Sequence, residues 1–164
     1  MNLGKKNSKQ LPSSTFDDAY LKAAAYCAYQ ERSQLEVRNK LNELFVRNDT
    51  AEEIIAKLIQ DNFINEERFA CVYAGGKFRI KKWGRNKIRQ ALKSKGVSDY
   101  CCKKGLSSID EEDYIREIQI LIEKKVQSIE TKITPVILHK VAQYVIAKGF
   151  ESDLVFSMLK EIES

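Results

Sequence analysis

The sequence predicts an all-α protein: three tandem three-helix modules, helix-turn-helix-like repeats in an elongated, curved array. First, its 164 residues include only two prolines and seven glycines, and 43% are hydrophobic, which favours helices over a sandwich or barrel. Second, serines and threonines repeatedly precede a glutamate by three residues, as at helix starts. Third, Leu41, Leu92 and Val145 fall at matching places, 51 and 53 residues apart, so the helices recur with a period of about 50 residues.

The first module is predicted over residues 15–64, behind a polar leader of residues 1–14 that we expect to be disordered. Its first helix is Ala-rich Asp17–Gln30. Capping boxes at Ser33 and Thr50 start the other two helices. The apolar positions expected to face inward on these two helices are Leu35, Val37, Leu41, Leu44, Ile54, Ile55, Leu58 and Ile59.

The second module is predicted over residues 65–109. Asn65 caps a helix running toward Lys82, and Gly84 breaks it. A helix over Arg85–Lys95 follows, ended by a glycine, and Ser98 caps a third, shorter helix. The apolar stripe expected on the first of these helices is Phe69, Val72, Tyr73, Gly76 and Ile80. The pair Gly75-Gly76 within that helix is interpreted as a close helix crossing or a kink.

The third module is predicted over residues 110–164. Asp110 begins an acidic run that suits a helix N-terminus. Thr134-Pro135 is a threonine cap with proline at the first helical position. Gly149 ends that helix, and a last helix covers about Ser152 to Ile162.

The positive charge concentrates in one central segment. The chain has a net charge of +5, yet residues 68–98 contain ten basic residues and no acidic one. Residues 1–64 are neutral, and residues 65–67 and 99–164 carry −2 and −3. Such an excess indicates a positive surface presented to a polyanion or an acidic partner. A merely solvated helix face is the alternative, and the lack of interspersed acids argues against it.

Two aromatic residues are interleaved with these charges. On a wheel with Phe69 at the core, Phe78 falls about 180° away and is expected to point outward. Rings among lysines and arginines suit single-stranded nucleic acid, where a stacked base contributes about 1–3 kcal/mol. The rings equally suit a protein contact, and Trp83 also suits packing between modules. The candidate DNA- or partner-binding residues are Lys77, Phe78, Arg79, Lys81, Lys82, Trp83, Arg85, Lys87, Arg89, Lys93 and Lys95.

The sequence offers no catalytic, metal or cofactor motif, so a non-enzymatic protein without cofactors is expected. Cys27 and Cys71 are expected to be buried, and vicinal Cys101-Cys102 lacks the spacing of a zinc site. No nucleophile motif calls for a base at His139. No apolar run reaches the roughly 18 residues of a membrane span, and no secretory signal is evident. A cytoplasmic monomer is expected.

The segment Asn65-Glu66-Glu67-Arg68-Phe69-Ala70, followed by Trp83-Gly84-Arg85-Asn86-Lys87-Ile88-Arg89-Gln90-Ala91-Leu92 and Lys95-Gly96-Val97, resembles the RecX family of recombinase regulators. Glu31-Arg32-Ser33 with Glu36-Val37-Arg38-Asn39-Lys40-Leu41 is similar to the family pattern in the first module. Three residues depart from the family pattern: Asn65 replaces the usual aspartate, Trp83 a common tyrosine and Arg85 a frequent proline.

The resemblance implies a non-enzymatic modulator that binds the RecA–DNA filament in its helical groove and restrains RecA's ATPase and strand exchange. It also implies the fold of three tandem three-helix modules. The basic segment would then contact single-stranded DNA, duplex DNA more weakly, or an acidic RecA surface. Two alternatives stay open: an independent DNA-binding protein with helix-turn-helix-like modules, and an adaptor unrelated to the filament.

Overall fold

The computed structural model describes residues 13–163, which form nine α-helices in two compact units, one ending at Asn65 and the other starting at Glu66. The prediction of an all-α repeat protein is confirmed. Most of the predicted leader lies outside the described residues, and helix α1 already begins at Ser13.

The first unit contains α1 (Ser13–Tyr29), α2 (Gln34–Glu43) and α3 (Asn48–Gln60). The predicted capping box at Ser33 is present: its hydroxyl accepts from the Glu36 N–H, and the Glu36 carboxylate accepts from the Ser33 N–H. Inward-facing residues of the three helices form the core of this unit, with Val37, Leu41, Ile54 and Leu58 fully buried.

The predicted cap at Thr50 is wrong. Helix α3 begins two residues earlier, at Asn48, and Arg47 at its N-cap makes no side-chain cap hydrogen bond. Buried Val46 anchors the preceding turn, and Asn48 turns the chain into the helix with a left-handed φ of 56°. Leu35 and Ile59 were also expected inside, but both are exposed because each lies at the edge of its helix's buried face.

The second unit contains α4 (Glu66–Lys81), α5 (Arg85–Ser94), α6 (Asp99–Ser107), α7 (Glu111–Gln127), α8 (Pro135–Ala147) and α9 (Ser152–Glu163). The predicted caps at Ser98 and Thr134 are confirmed: each hydroxyl accepts a hydrogen bond from the backbone N–H three residues later. The Asp110 carboxylate, at the start of the predicted acidic run, caps α7 in the same way. These side chains satisfy helix N–H groups that have no partner within the helix.

The repeat is visible in how the middle helix of each module ends. Phe45, Gly96 and Gly149 hold matching positions, and all three adopt a left-handed backbone, with φ of 61°, 76° and 99°. The residue after each one is buried: Val46, Val97 and Phe150. A left-handed residue followed by an apolar contact is a common helix C-terminus. Glycine adopts this conformation without strain. The helix end is therefore recognisable in the sequence at Gly96 and Gly149 but not at Phe45.

Helices α4–α6 and α7–α9 share one core. Tyr114 on α7 lies between Phe78 of α4 and Phe150 of the turn before α9, with ring centroids 5.6 and 5.2 Å apart. The Gly84 N–H donates to the Lys148 carbonyl at 2.8 Å. A Cβ on Gly84 would lie 2.2 Å from the Phe150 nitrogen, so this backbone approach requires glycine.

The predicted buried face of α4 is rotated by about 120° from the observed one, although Phe69 is buried as predicted. Phe78 is buried, with 7% of its surface exposed, whereas Val72 and Ile80 are 55% and 78% exposed. The buried side of α4 is centred on Ala70 and Ala74 instead. Small residues face inward here because α6 approaches α4 closely. A helical-wheel prediction based on large apolar residues does not detect a buried face made of alanines.

The close helix crossing lies at Gly105, not at Gly75-Gly76. A Cβ on Gly105 would stand 2.7 Å from the Ala70 carbonyl oxygen. A Cβ on Gly76 would meet nothing within 4 Å, and one on Gly75 would meet only the Arg79 guanidinium, at 2.8 Å. Gly75 therefore makes room for the Arg79 side chain, and the predicted crossing at the glycine pair is wrong.

Candidate nucleic-acid interface

Lysines and aromatic rings come together where α4 ends and α5 begins. Lys77 lies over two rings, with its Nζ 5.3 Å from the Tyr73 centroid and 5.1 Å from the Trp83 centroid. Lys87 lies 4.7 Å from the Trp83 ring, and Lys95 lies 5.6 Å from the Tyr73 ring. We call these five residues the Lys–aromatic surface. All five are half-buried, so the rings are fixed against the core while the ammonium groups are held beside them.

A second group of the same kind adjoins it. Lys125 and Lys148 lie 4.7 and 5.2 Å from the ring of Tyr144 on α8. The hydrogen bond from Gly84 to Lys148 joins the backbones of the two groups. Lysines and rings therefore alternate from α4 and α5 onto α8. This arrangement matches the requirement of a single strand, whose phosphates need cations and whose bases need flat apolar surfaces.

Arg85 belongs to a different environment. Its guanidinium lies 3.8 Å from the Tyr114 ring centroid, pairs with Glu111, and approaches Glu151 at 3.5 Å. The backbone N–H of Arg85 donates to the Tyr114 hydroxyl at 2.9 Å, and that hydroxyl donates to the Glu151 carboxylate. We call Arg85, Glu111, Tyr114 and Glu151 the Arg85 network. Only 18% of the Arg85 side chain is exposed, so its charge is used inside the unit.

The pKa shifts follow from this burial. Desolvation lowers the pKa of Arg85, but the hydrogen bond and charge of Glu111 outweigh it, and the net pKa is raised. Burial raises the pKa of Tyr114, and its hydrogen bond to Glu151 raises the pKa further. Both groups therefore keep their protons at neutral pH, and the network stays intact.

The remaining candidate residues divide into paired and exposed ones. Lys82 pairs with Glu117 at 3.0 Å, and Lys93 pairs with Asp99 at 2.9 Å. These two lysines are exposed, and so are Arg79, Lys81 and Arg89, for which no ion pair is described. Asp99 and Glu117 lie outside the acid-free segment in the sequence, and folding brings them beside it.

The prediction that Phe78 points away from the core is wrong, since its ring packs on Tyr114. It therefore has no exposed face for a base. Trp83 packs against the core and also contacts two lysines. Sequence reasoning missed Tyr73 and Tyr144. Each stands four residues before a lysine, Lys77 or Lys148, and this i,i+4 spacing was the available signal.

The cysteines show no sign of nucleophilic chemistry. Burial raises the pKa of Cys101 and of Cys102, which keeps both thiols protonated at neutral pH. Cys27 is buried as predicted, whereas Cys71 is only half-buried, and its thiol donates to the Lys104 carbonyl at 3.8 Å.

Within residues 13–163, no group of histidine, cysteine and acidic side chains is arranged to hold a metal. None of the helices described combines the length and apolar character needed to cross a bilayer.

Comparison with known proteins identifies two three-helix domains. A family profile described as RecX, first three-helix domain, matches residues 19–58, and one described as RecX, second three-helix domain, matches residues 65–106. Proteins named regulatory protein RecX from Bacillus thuringiensis and Bacillus cereus are each 30% identical over 145 residues. The match covers 88% of this chain and 54% of each relative, so the chain spans about half the length of these curated relatives.

Solved structures agree with the architecture. The crystal structure of RecX from Lactobacillus salivarius superposes with a TM-score of 0.85 at 26% identity, covering 93% of this chain and 99% of that one. A second structure, of a regulatory protein RecX, has a TM-score of 0.79 at 23% identity and covers 93% and 79% of the two chains. The latter likeness concerns the fold alone.

Fold and surface together define a protein of tandem three-helix modules with a basic, aromatic face on the second module. The chain belongs to the RecX family. The family consists of regulatory proteins rather than enzymes, in agreement with the expectation from the sequence.

Proposed function

We propose that this chain is a non-enzymatic regulator that binds RecA or the RecA–DNA filament and lowers its ATPase, recombinase and coprotease activities. Membership of the RecX family supports the regulatory role and, at a coarse level, RecA as the partner. The proposed location is the cytoplasm, where RecA and chromosomal DNA meet.

The observation that carries the proposal is the Lys–aromatic surface and its continuation at Tyr144. A surface of alternating cations and rings fits a strand whose backbone and bases are both accessible. Lysines bind phosphates without reading sequence, which suits a regulator that must act wherever a filament forms. The proposed contacts to single-stranded DNA are therefore made by Lys77, Trp83, Lys87 and Lys95, with Tyr73 beside them.

A second set of basic residues is available to the protein partner. Arg79, Lys81 and Arg89 are exposed, and arginine forms bidentate pairs with carboxylates. We assign these three to acidic surface on RecA or to filament phosphates. Lys82, Lys93 and Arg85 contribute less, because each is already paired within the chain.

A titration of RecA's DNA-dependent ATPase tests the proposal. The chain is added at substoichiometric to equimolar ratios, and steady-state ATP hydrolysis on single-stranded DNA is measured. We expect inhibition well below one chain per RecA. The variant with Lys77, Lys87 and Lys95 changed to alanine is expected to inhibit less. A variant with Lys132, Lys140 and Lys160 changed to alanine has the same net charge and is expected to inhibit normally.

An independent DNA-binding protein is the second candidate, since the Lys–aromatic surface on its own also suits naked DNA. In that case the ATPase rate stays constant through the full titration while the chain binds naked duplex tightly. That pair of results rejects the regulator. An adaptor unrelated to the filament produces neither the ATPase effect nor tight DNA binding.

A further inference from the structure

The second and third modules differ in how closely their first and third helices pack. In the second module, Gly105 lets α6 approach α4 until a Cβ at that glycine would stand 2.7 Å from the Ala70 carbonyl oxygen. Met158 on α9 holds the matching position, since it follows Gly105 by the 53 residues that also separate Gly96 from Gly149. The methionine side chain takes up the space that a glycine leaves to the neighbouring backbone. Helix α9 therefore lies farther from α7 than α6 lies from α4, and a groove remains open between α7 and α9.

The floor of this groove is apolar. Ile122 lines it and is buried. The other apolar side chains that line it are partly exposed to solvent: Ile115, Leu154, Met158 and Ile162. The groove has a volume of about 400 Å³, within the range of about 300–1,000 Å³ that is usual for binding clefts. Methionine is flexible and polarisable, so Met158 can adjust its shape to an apolar side chain that enters the groove.

The rim of the groove is acidic. Glu123 comes from α7 and Glu161 from α9, so each side of the groove carries one exposed carboxylate. Among the described residues, no lysine or arginine lines this groove. Arg116 lines an adjoining cavity, but its guanidinium is paired with Asp113 at 2.7 Å, and Lys160 lines a different cavity. The field at the groove is therefore negative, opposite in sign to that of the Lys–aromatic surface.

An apolar floor between two carboxylates fits a basic amphipathic helix. Such a helix buries its apolar side chains in a groove and keeps its charged side chains at the edge. Its lysines or arginines would pair with Glu123 and Glu161, and this complementarity fixes the orientation of the bound helix. Nucleic acid and an anionic membrane surface do not fit, because their phosphates would face the two carboxylates. An extended peptide finds no sheet edge to pair with, since the described residues contain no β-strand.

We propose that the groove between α7 and α9 is a docking site for a basic amphipathic helix of a partner protein. The charge of the groove selects a cationic protein segment, whereas the second module faces a polyanion or an acidic surface. The groove and the Lys–aromatic surface share no residue, so this inference goes beyond the proposed function and does not depend on it. A chain with both sites can hold a basic protein segment while its second module stays bound elsewhere.

Methyl NMR of the full chain tests the docking site, because Met1 and Met158 are its only methionines. Protein labelled with carbon-13 at the methionine methyl groups is titrated with a synthetic amphipathic helix of leucines and lysines, about five turns long. The Met158 signal, assigned with Met158→Leu, is expected to shift until it saturates. The same peptide with glutamate at every lysine is the matched control and is expected to leave that signal in place. A Met158 signal that does not move with the basic peptide overturns the proposal.

Charge variants locate the contact. Glu123→Gln with Glu161→Gln removes both carboxylates at nearly constant size and is expected to weaken peptide binding by about fivefold and to reduce its dependence on salt. Glu53→Gln with Glu130→Gln changes the net charge equally at exposed positions outside the groove and is expected to leave the affinity unchanged. Equal weakening by the two pairs indicates nonspecific attraction and overturns the site. A Met158 signal that shifts with protein concentration before any peptide is added indicates a second copy in the groove and also overturns it.

Discussion

The Lys–aromatic surface and Arg85 come from the same acid-free run of sequence, yet folding gives them opposite environments. Lys77 and Lys87 lie beside half-buried rings, with no carboxylate described as an ion-pair partner to either. Arg85, two residues from Trp83, lies between two glutamates and a buried tyrosine. The glutamates come from α7 and from the turn before α9. Charge density along a chain therefore shows where cations are, and tertiary structure determines which of them are already neutralised.

The largest expected effect concerns the backbone contact that holds the Arg85 network in place. Gly84→Ala places a Cβ 2.2 Å from the Phe150 nitrogen and 2.3 Å from the Gly149 carbonyl carbon. Backbone atoms cannot move away from the added methyl group as a flexible side chain can. We therefore expect the free energy of unfolding to fall by about 3 kcal/mol or more. Chemical denaturation measures this change.

Gly76→Ala is the matched control, because a Cβ there meets nothing within 4 Å. A helical alanine is favoured over glycine by up to about 1 kcal/mol, so this variant is expected to be slightly more stable than wild type. A Gly84→Ala protein as stable as wild type contradicts the close approach.

The next effect concerns the Tyr114 hydroxyl. Tyr114→Phe keeps the ring stack but removes the hydroxyl that joins the Arg85 backbone N–H to the Glu151 carboxylate. The free energy of unfolding is therefore expected to fall by about 1–3 kcal/mol. Affinity for single-stranded DNA is expected to stay constant, since the network faces inward. Denaturation and DNA titration of the same variant check both parts, and a loss of affinity without a loss of stability contradicts the division between the two regions.

The raised pKa of Tyr114 adds a pH dependence to the same variant. The hydroxyl contributes stability that is complete below the ordinary tyrosine pKa of 10.0 and is lost as pH rises through the higher pKa of the folded state. The difference in stability between wild type and Tyr114→Phe is therefore expected to be constant from neutral pH to about pH 10 and to shrink above it. A difference that grows at alkaline pH contradicts this assignment.

The smallest effect on folding is expected from the Lys–aromatic surface. Changing Lys77, Lys87 and Lys95 to alanine removes three proposed phosphate contacts. The slope of log affinity for single-stranded DNA against log salt is expected to flatten by about 2, since each contact contributes about 0.7. Stability is expected to change little. The variant at Lys132, Lys140 and Lys160 controls for net charge, and an equal flattening there indicates a nonspecific effect of charge.

Local signals in the sequence predicted much of the fold. The caps at Ser33, Ser98 and Thr134 are predicted correctly, because capping is a contact between a side chain and a backbone group three residues away. Thr50 failed because the turn before α3 depends on how Val46 is buried. The binding role of the basic segment stays a prediction. Within that segment, Phe78 is buried where the helical wheel placed it outside, and Tyr73, expected in the core, lies beside Lys77.

By itself, the sequence determined the all-α class, the period of the repeat, most helix ends and the central position of the positive charge. These features depend on residues within about one helical turn of each other, or on a pattern of residues that recurs along the chain. Only the tertiary structure decided which face of α4 is buried, that the close crossing is at Gly105, and which basic residues remain available. Those outcomes depend on Gly105, Glu111, Tyr114 and Glu151, which lie outside the basic segment and are brought beside it only by packing.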